Sequence, residues 1–248
     1  MPSTSETGHA KNVANFEDLI SFCNGYGASY NPSKEALKVA NLQTQLTASQ
    51  NVLKDVKTTQ TAFNNATNTR MDAFKTLKSY ATKIINALDA TDASAETVKD
   101  ARTINRKLQG QRATPKATPA TPPAGSEPTT PDKTISSSQQ SYDQQIEHFD
   151  KLIELLASDS NYKPNEKELA LPALQAKLAE LKTTNTAVVS SYTNWSNSRI
   201  ARQTTLYNTL TGLVNTALDV KKYVKSVYGA TSPQYKQVSK LEFKNRKD

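Results

Sequence analysis

The chain has almost none of the residues that metal centres and disulfide frameworks require. Its 248 residues include one cysteine, Cys23, and two histidines, His9 and His148. A single cysteine excludes an intramolecular disulfide and a cysteine-based metal site. The histidines lie far apart in the sequence and lack the close spacing of metal ligands. The sequence therefore predicts no metal and no cofactor.

Long apolar runs are also missing. No run approaches the roughly 18 apolar residues that cross a bilayer, and the polar N-terminal segment lacks the apolar core of a signal peptide. We therefore expect a cytoplasmic protein without a transmembrane segment. The apolar content of 36% is low for a compact globule. A long helical bundle tolerates it, because each helix buries only one stripe of its surface.

Catalytic motifs are absent as well. The sequence has no nucleophile elbow, no glycine-rich phosphate loop and no H-E-x-x-H pair. Glu147 and His148 are adjacent rather than three residues apart, so they do not form the ligand motif of di-iron bundles. These absences predict that the protein is not an enzyme.

What the chain does contain is a repeat at an offset of 132 residues. Among the matched pairs are Tyr30 and Tyr162, Pro32 and Pro164, Leu37 and Leu169, Leu42 and Leu174, Val56 and Val188, Phe63 and Trp195, and Arg70 and Arg202. Matching at one offset indicates a tandem duplication. We predict a disordered N-terminus over 1–11, a helical repeat over 12–108, a disordered linker over 109–140 and a second helical repeat over 141–248, with the repeats packed as one bundle.

The centre of each repeat is a long helical pattern. In the first repeat no glycine or proline occurs between Lys34 and Leu88, and Asn31 and Pro32 supply a capping residue followed by proline. Seam residues follow alternating steps of three and four, as in a coiled coil. The pattern crosses an Asn/Thr-rich stretch at 58–69. We favour a continuous helix because the register survives this stretch in both repeats, and a helical hairpin broken there is the alternative.

Shorter helices flank the long ones. The first places five residues on one face: Val13, Phe16, Leu19, Ile20 and Cys23. One closing helix is predicted from Ser94 through Lys107. The other begins at Ser232 and Pro233, again a cap followed by proline, and runs to the C-terminus.

The linker is rich in proline and threonine, with six prolines within residues 115–131. This composition is typical of an extended spacer, which at about 3 Å per residue is long enough to carry the chain back along a rod. Two P-x-x-P spacings also fit a ligand for a polyproline-binding domain. The spacer is the favoured interpretation.

Two pairs of equivalent residues lie in the helical seam. Phe63 and Trp195 are large aromatics near the middle of their helices, and antiparallel helices would bring them together. Arg70 and Arg202 each follow seven residues later. A charge facing a core is costly unless it is paired. We favour structural arginines that set the register, and an anion-binding role is the alternative.

Basic residues are concentrated at the closing helices of a chain whose net charge is +8. Candidate contacts for nucleic acid or an anionic surface are Arg106, Lys107, Lys236, Lys240, Lys244, Arg246 and Lys247. Lys236, Lys240 and Lys244 recur every four residues, which would place them on one helical face. A solvated face that favours a helix C-terminus is the preferred interpretation.

Five segments carry a resemblance to a known group: Phe16–Cys23, Gly25–Gly27, Tyr30–Ser33, Thr103–Lys107 and Ser232–Val238. In these segments the chain resembles an uncharacterised, internally duplicated all-helical protein family of Bacteroidota. The resemblance implies a bacterial, cytoplasmic setting and no particular activity.

Together these patterns predict an all-α fold. In it, two copies of a short–long–short helix unit form an elongated, pseudo-twofold antiparallel helical bundle. The predicted function is that of a non-enzymatic scaffold that binds a protein partner of unknown identity. Sequence-independent binding of nucleic acid or an anionic surface is the alternative. The oligomeric state stays open.

Overall fold

The computed structural model describes residues 4–111 and 140–246. Within these ranges the chain forms eight α-helices and no β-strand, so the all-α prediction is confirmed. The helices are α1 (Thr4–Gly25), α2 (Val39–Lys75), α3 (Leu77–Asp89), α4 (Ala95–Gln109), α5 (Tyr142–Ser158), α6 (Leu171–Tyr207), α7 (Leu213–Tyr228) and α8 (Pro233–Ser239). Most of the predicted linker, residues 112–139, lies outside the described residues.

The chain divides into two compact units. Unit 1 comprises Met1–Asn65 and Ser190–Asp248, and unit 2 comprises Ala66–Val189. Both boundaries fall inside the long helices α2 and α6. Each unit therefore contains parts of both predicted repeats, and neither unit coincides with 12–108 or with 141–248.

The core of unit 1 is built from α1, α7 and the parts of α2 and α6 that belong to this unit. The predicted apolar face of α1 is buried, with Phe16 and Leu19 fully covered. These side chains pack in one cluster with residues such as Leu42, Leu206 and Val220. Burial of a large apolar side chain contributes roughly 1.5–3 kcal/mol, so this cluster holds the helices of unit 1 together.

The core of unit 2 is formed by α3, α4 and α5 with the adjoining part of α6. Ser94 begins α4 as predicted, since its Oγ accepts a hydrogen bond from the Thr97 amide at 3.1 Å. Gly110 ends the helix in the left-handed conformation, with φ at 77°. Leu108 near that end packs in one cluster with Phe149 of α5, and both are fully buried.

The long helices are continuous through their Asn/Thr-rich stretches, as favoured from the sequence. The predicted span is nevertheless too long at both ends, because α2 begins at Val39 and stops at Lys75. Thr76 separates it from α3 without any glycine or proline. The reason for the break is packing, since α3 is a separate amphipathic helix that buries Leu77, Ala81 and Ile84 in the core of unit 2.

Local structure recurs at the offset of the predicted duplication. Helices α2 and α6 have 37 residues each, and their bounds differ by 132. Before each helix a tyrosine closes the same turn: the Tyr30 hydroxyl donates to the Leu37 carbonyl at 2.7 Å, and the Tyr162 hydroxyl donates to the Leu169 carbonyl at 2.8 Å. This recurrence supports the duplication, which stays a prediction.

The prediction of disorder over residues 1–11 is wrong from Thr4 onward, where α1 begins. His9 and Asn12 of this helix are buried although they are polar. The His9 Nδ1 atom lies 2.5 Å from the hydroxyl of Tyr207, and Asn12 Nδ2 donates to that hydroxyl at 3.1 Å. The partner lies almost 200 residues away in the sequence, so local patterns do not reveal this stabilisation.

The ends of the predicted linker meet. Gln140 Nε2 donates to the carbonyl of Lys107 at 2.8 Å, and Lys78 Nζ donates to Gln140 Oε1 at 2.9 Å. Gly110 lies so close that an added Cβ would be 2.8 Å from Gln140 Cδ. The sequence allowed the linker to carry the chain back along a rod, but its two ends lie close together, so no long distance has to be bridged.

Replacing residues 112–139 by a six-residue Gly/Ser loop is therefore expected to leave the fold intact. The entropic cost of loop closure depends only weakly on loop length, so the free energy of unfolding should change by no more than about 1 kcal/mol. Urea unfolding followed by circular dichroism measures this. A loss of several kcal/mol would mean that the replaced segment contributes to the folded structure.

His148 is expected to make unit 2 sensitive to acid. Its side chain is buried, and burial, reinforced by the charges of Lys107 and Lys151, holds its pKa below the usual value of 6.5. The unfolded chain then takes up a proton that the folded chain resists, so stability is full above about pH 6.5 and falls as the pH drops below it. Urea unfolding at pH 7.5 and 5.0 should show a smaller acid loss for His148→Gln than for the wild type. An equal loss would contradict this account.

Candidate functional site

Three aromatic rings meet between α2 and α6 in unit 1. The rings of Phe63 and Trp195 are stacked, with centroids 5.5 Å apart and planes inclined by 16°. Tyr192 lies against both, with centroids 5.6 Å from Phe63 and 6.2 Å from Trp195. We call these three residues the aromatic patch.

The patch exists because α2 and α6 run antiparallel in unit 1. The hydroxyls of Thr59 and Ser198 are hydrogen-bonded at 2.8 Å, one helical turn from the stacked rings. Positions therefore rise along α2 as they fall along α6. This direction brings Phe63 and Trp195 together, as expected from their equivalent places in the predicted repeats.

The patch is open to solvent. Tyr192 is 53% exposed, while Phe63 and Trp195 are half-buried. None of the three belongs to the buried core of unit 1. Farther along α6, Ile200 is 62% exposed. An apolar surface concentrated at one place on a protein marks an interaction site more often than single scattered residues do.

The surface around the patch carries almost no charge. Residues 58–65 and 190–198 contain no Asp, Glu, Lys or Arg, although these residues make up 22% of the chain. Arg199 follows directly, and its guanidinium carbon lies 5.4 Å from the centroid of the Trp195 ring. At that distance the cation is attracted to the face of the ring. The arrangement is an aromatic centre with an uncharged polar border and one arginine.

The two equivalent arginines have different surroundings. Arg70 is half-buried in unit 2. Its Nη1 donates to Asn185 Oδ1 at 3.0 Å, and its guanidinium lies 4.0 Å from the centroid of Tyr142. Asn185 Nδ2 in turn donates to Asp143 Oδ1 at 2.7 Å. The side-chain amide of Asn185 therefore links the Arg70 guanidinium to the Asp143 carboxylate by two hydrogen bonds. Arg202 is fully buried in unit 1. These placements favour the structural interpretation of both arginines.

The predicted basic helical face does not form. Helix α8 ends at Ser239, so Lys236 is helical whereas Lys240 and Lys244 lie beyond the regular helix. Lys244 pairs with Glu242 at 3.1 Å. Lys247 lies outside the described residues. The face predicted from a four-residue spacing is therefore wrong, because the chain leaves the helix and becomes extended.

The remaining basic candidates have separate roles. Arg246 is half-buried against α1 in unit 1. Arg106 and Lys107 belong to unit 2, in the last turn of α4, where positive charge is favourable. Their carbonyls accept hydrogen bonds from the Gln111 and Gly110 amides. Lys236 and Lys240 are exposed and make no side-chain hydrogen bond or ion pair with any residue that the structure describes.

Sequence reasoning placed Phe63, Tyr192 and Trp195 in the seam and did not identify Tyr192 as a surface residue. It treated the Asn/Thr-rich stretches as possible helix breaks. The available signal was the loss of charge around the only tryptophan. A helical segment that keeps aromatics while losing charge is typical of a covered surface rather than a solvated one.

Other kinds of site find little support in the described ranges 4–111 and 140–246. No group of three His, Cys, Asp or Glu side chains there is arranged to hold a metal ion, and Cys23 is a buried free thiol. A groove of about 520 Å³ in unit 2 includes Tyr80, Ala173 and Ala176. Its two lysines lie near glutamates, with Lys83 3.8 Å from Glu168 and Lys177 2.9 Å from Glu180. The groove therefore presents no concentrated charge.

None of the described helices has the length and apolar character needed to cross a bilayer. Comparison of the chain with protein-family models, with curated proteins and with solved structures found no match.

Proposed function

We propose that this chain is a non-enzymatic interaction protein, a helical scaffold that binds a protein partner through the aromatic patch. The observation that carries the proposal is the cluster of exposed Tyr192 with half-buried Trp195 and Phe63, in helical segments without charged residues. The partner is a protein surface with an apolar pocket bordered by uncharged polar groups, complementary to this patch. The setting is the cytoplasm of a bacterium, as the family resemblance implies.

The composition of the patch matches that of protein interfaces. Interface centres are depleted of charged residues and enriched in aromatics and arginine. Tyrosine, tryptophan and arginine are also the residues whose removal most often costs binding energy. Phe63 and Trp195 support one another by stacking, so Tyr192 is held on a rigid platform before binding. A preorganised platform loses little conformational entropy when a partner docks.

The duplicated long helices support the scaffold part of the proposal. Helices α2 and α6 are each uninterrupted over 37 residues. They present side chains at fixed spacing, because each helical residue advances by about 1.5 Å along the axis. The elongated, pseudo-twofold bundle predicted from the repeats is part of this proposal.

Site-specific photo-crosslinking in the native cell tests the patch. The full-length chain would carry benzoylphenylalanine at Tyr192 or, as a matched control, at Leu218, which is 41% exposed on α7 of the same unit. We expect a discrete protein adduct from position 192 and none from position 218. No adduct at 192, or the same adducts from both positions, would contradict the proposal.

Binding measurements with the captured partner supply the energetic test. Tyr192→Ala is expected to weaken binding at least tenfold, which corresponds to about 1.4 kcal/mol. Leu218→Ala should leave binding unchanged. Trp195, the only tryptophan, reports docking directly as a change in its fluorescence.

Sequence-independent binding of nucleic acid is the second candidate. It is favoured by the net charge of +8 and by Lys236 and Lys240 in unit 1, whose exposed side chains form no ion pair within the described ranges. In a gel-shift titration at two salt concentrations, such binding should weaken steeply with salt. The double variant Lys236→Gln, Lys240→Gln should then lose affinity, whereas Lys38→Gln, whose lysine is already paired with Glu35, should not. Equal binding by all three proteins would remove this candidate.

A further inference from the structure

The chain beyond α8 forms an extended strap that lies along α1. We call residues 241–246 the strap. Its main chain is held by side chains at every second residue. Asn15 Nδ2 donates to the carbonyl of residue 242 at 2.7 Å, Asn12 Nδ2 donates to that of residue 244 at 2.8 Å, and Gln203 Nε2 donates to that of residue 246 at 3.0 Å. The amide of residue 244 also donates to Asn12 Oδ1 at 3.1 Å.

The side chains of the strap alternate as those of an extended peptide do. Leu241 and Phe243 pack against the apolar core of unit 1. Glu242 and Lys244 point outward and pair with each other at 3.1 Å. Lys221 of α7 donates to the carbonyl of Leu241, and its Nζ atom lies 5.3 Å from the centroid of the Phe243 ring.

The last strap residue fills a place that a glycine leaves open. Gly8 of α1 is buried, and a Cβ added there would lie 1.9 Å from Nε of Arg246. A side chain at this position would force the guanidinium out. The strap therefore occupies a groove with a place for one basic side chain in addition to the two apolar ones.

The groove contains polar groups that are dedicated to a peptide main chain. Asn12 is only 3% exposed, and both ends of its carboxamide bind the backbone of Lys244. The Asn12 carboxamide also donates to the Tyr207 hydroxyl at 3.1 Å, which fixes its orientation, and the same hydroxyl contacts His9. A buried amide without partners is costly, so this site is built to be satisfied by an extended peptide.

We propose that the groove formed by α1, α6 and α7 is a binding site for extended peptides, and that the strap occupies it as an internal ligand. The ligand class is a segment with two apolar residues two positions apart and an arginine three positions after the second one. Affinity comes from main-chain hydrogen bonds, and specificity comes from the places for the two apolar side chains and the arginine. The site is separate from the aromatic patch and does not depend on the function proposed for it.

The strap itself contains no helix, so its departure from the groove unwinds no helical turn. A tethered ligand has an effective concentration in the millimolar range. An added peptide therefore competes poorly with the intact strap. The test must weaken the strap while leaving the groove unchanged.

The strap-weakened protein is the full-length chain with Leu241→Ser and Phe243→Ser. The probe is a fluorescein-labelled peptide with the sequence of residues 241–248, and binding is followed by fluorescence anisotropy. We expect the strap-weakened protein to bind the peptide at least tenfold more tightly than the wild type does. A peptide of the same composition in scrambled order should not bind.

Adding Asn12→Ala to the strap-weakened protein should reduce peptide affinity at least tenfold, because both carboxamide contacts are lost. Tyr192→Ala in the same background should leave affinity unchanged and so separates this site from the aromatic patch. A strap-weakened protein that keeps its helical circular dichroism but fails to bind the peptide would overturn the proposal. Loss of the folded structure in that protein would overturn it as well, because the groove would then depend on the strap.

Discussion

Replacing Arg202 by alanine is expected to lower the free energy of unfolding by about 3–5 kcal/mol. Arg202 has the largest side chain among those that are fully buried. A buried guanidinium persists only when surrounding groups compensate for its lost hydration. Removal leaves those groups without their partner and opens a cavity in unit 1. Urea unfolding at pH 7 measures the loss.

Arg70 provides the matched control because it occupies the equivalent place in the other predicted repeat. It is half-buried, and its described contacts are one hydrogen bond to Asn185 and a cation–π contact with Tyr142. Contacts of this kind at a partly solvated site contribute about 1–2 kcal/mol together. Arg70→Ala should therefore cost clearly less than Arg202→Ala. Equal losses would show that burial does not distinguish the two arginines.

Gly212→Ala is expected to lower the free energy of unfolding by about 1–3 kcal/mol through steric overpacking. Gly212 caps α7 at an ordinary φ of −68°, so backbone strain is not the reason for a glycine here. An added Cβ would lie 2.5 Å from the backbone nitrogen of Asn208 and 2.6 Å from its oxygen. Neither atom can rotate away, because Asn208 closes the turn between α6 and α7 with hydrogen bonds of its own.

Gly25→Ala is the control for this prediction. Gly25 ends α1, and an added Cβ there would meet nothing within 4 Å. Alanine is the better helix former by up to about 1 kcal/mol, so this change should be neutral or slightly stabilising. Thermal unfolding of both variants tests the pair. A similar loss in the two proteins would point to a general effect of losing glycine rather than to the close approach at Asn208.

The turn at Asn208 also shows why the coiled-coil register cannot be extended indefinitely from the sequence. The seam continues past α6 in the sequence through Leu210 and Leu213. In the structure Leu213 is fully buried, whereas Leu210 is 80% exposed on the turn. After a one-residue slip beyond Leu206, both residues fit the apolar spacing. Their burial differs because the Leu210 and Thr211 amides donate to Asn208 Oδ1. These hydrogen bonds hold the chain in a turn that places Leu210 at the surface.

The candidate site was partly predictable for a similar reason. The repeat offset places Phe63 and Trp195 at equivalent positions, and an antiparallel arrangement then implies that they meet. Tyr192 is exposed because the rest of unit 1 leaves this part of α6 uncovered. Periodicity does not predict how much of a helix other elements cover. The strap was harder to foresee, because the spacing of Lys236, Lys240 and Lys244 is also that of a helix.

The sequence by itself determined the all-α class and the caps at Ser94 and Ser232, and it favoured the helical path through the Asn/Thr-rich stretches, because these depend on residues close together in the chain. The tertiary structure decided the break at Thr76, the start of α1 at Thr4 and the extended strap after Ser239. In each of these places contacts with distant residues outweigh local preference. Leu77 and Ile84 are buried in the core of unit 2, while Asn12 exchanges hydrogen bonds with a segment more than 230 residues away.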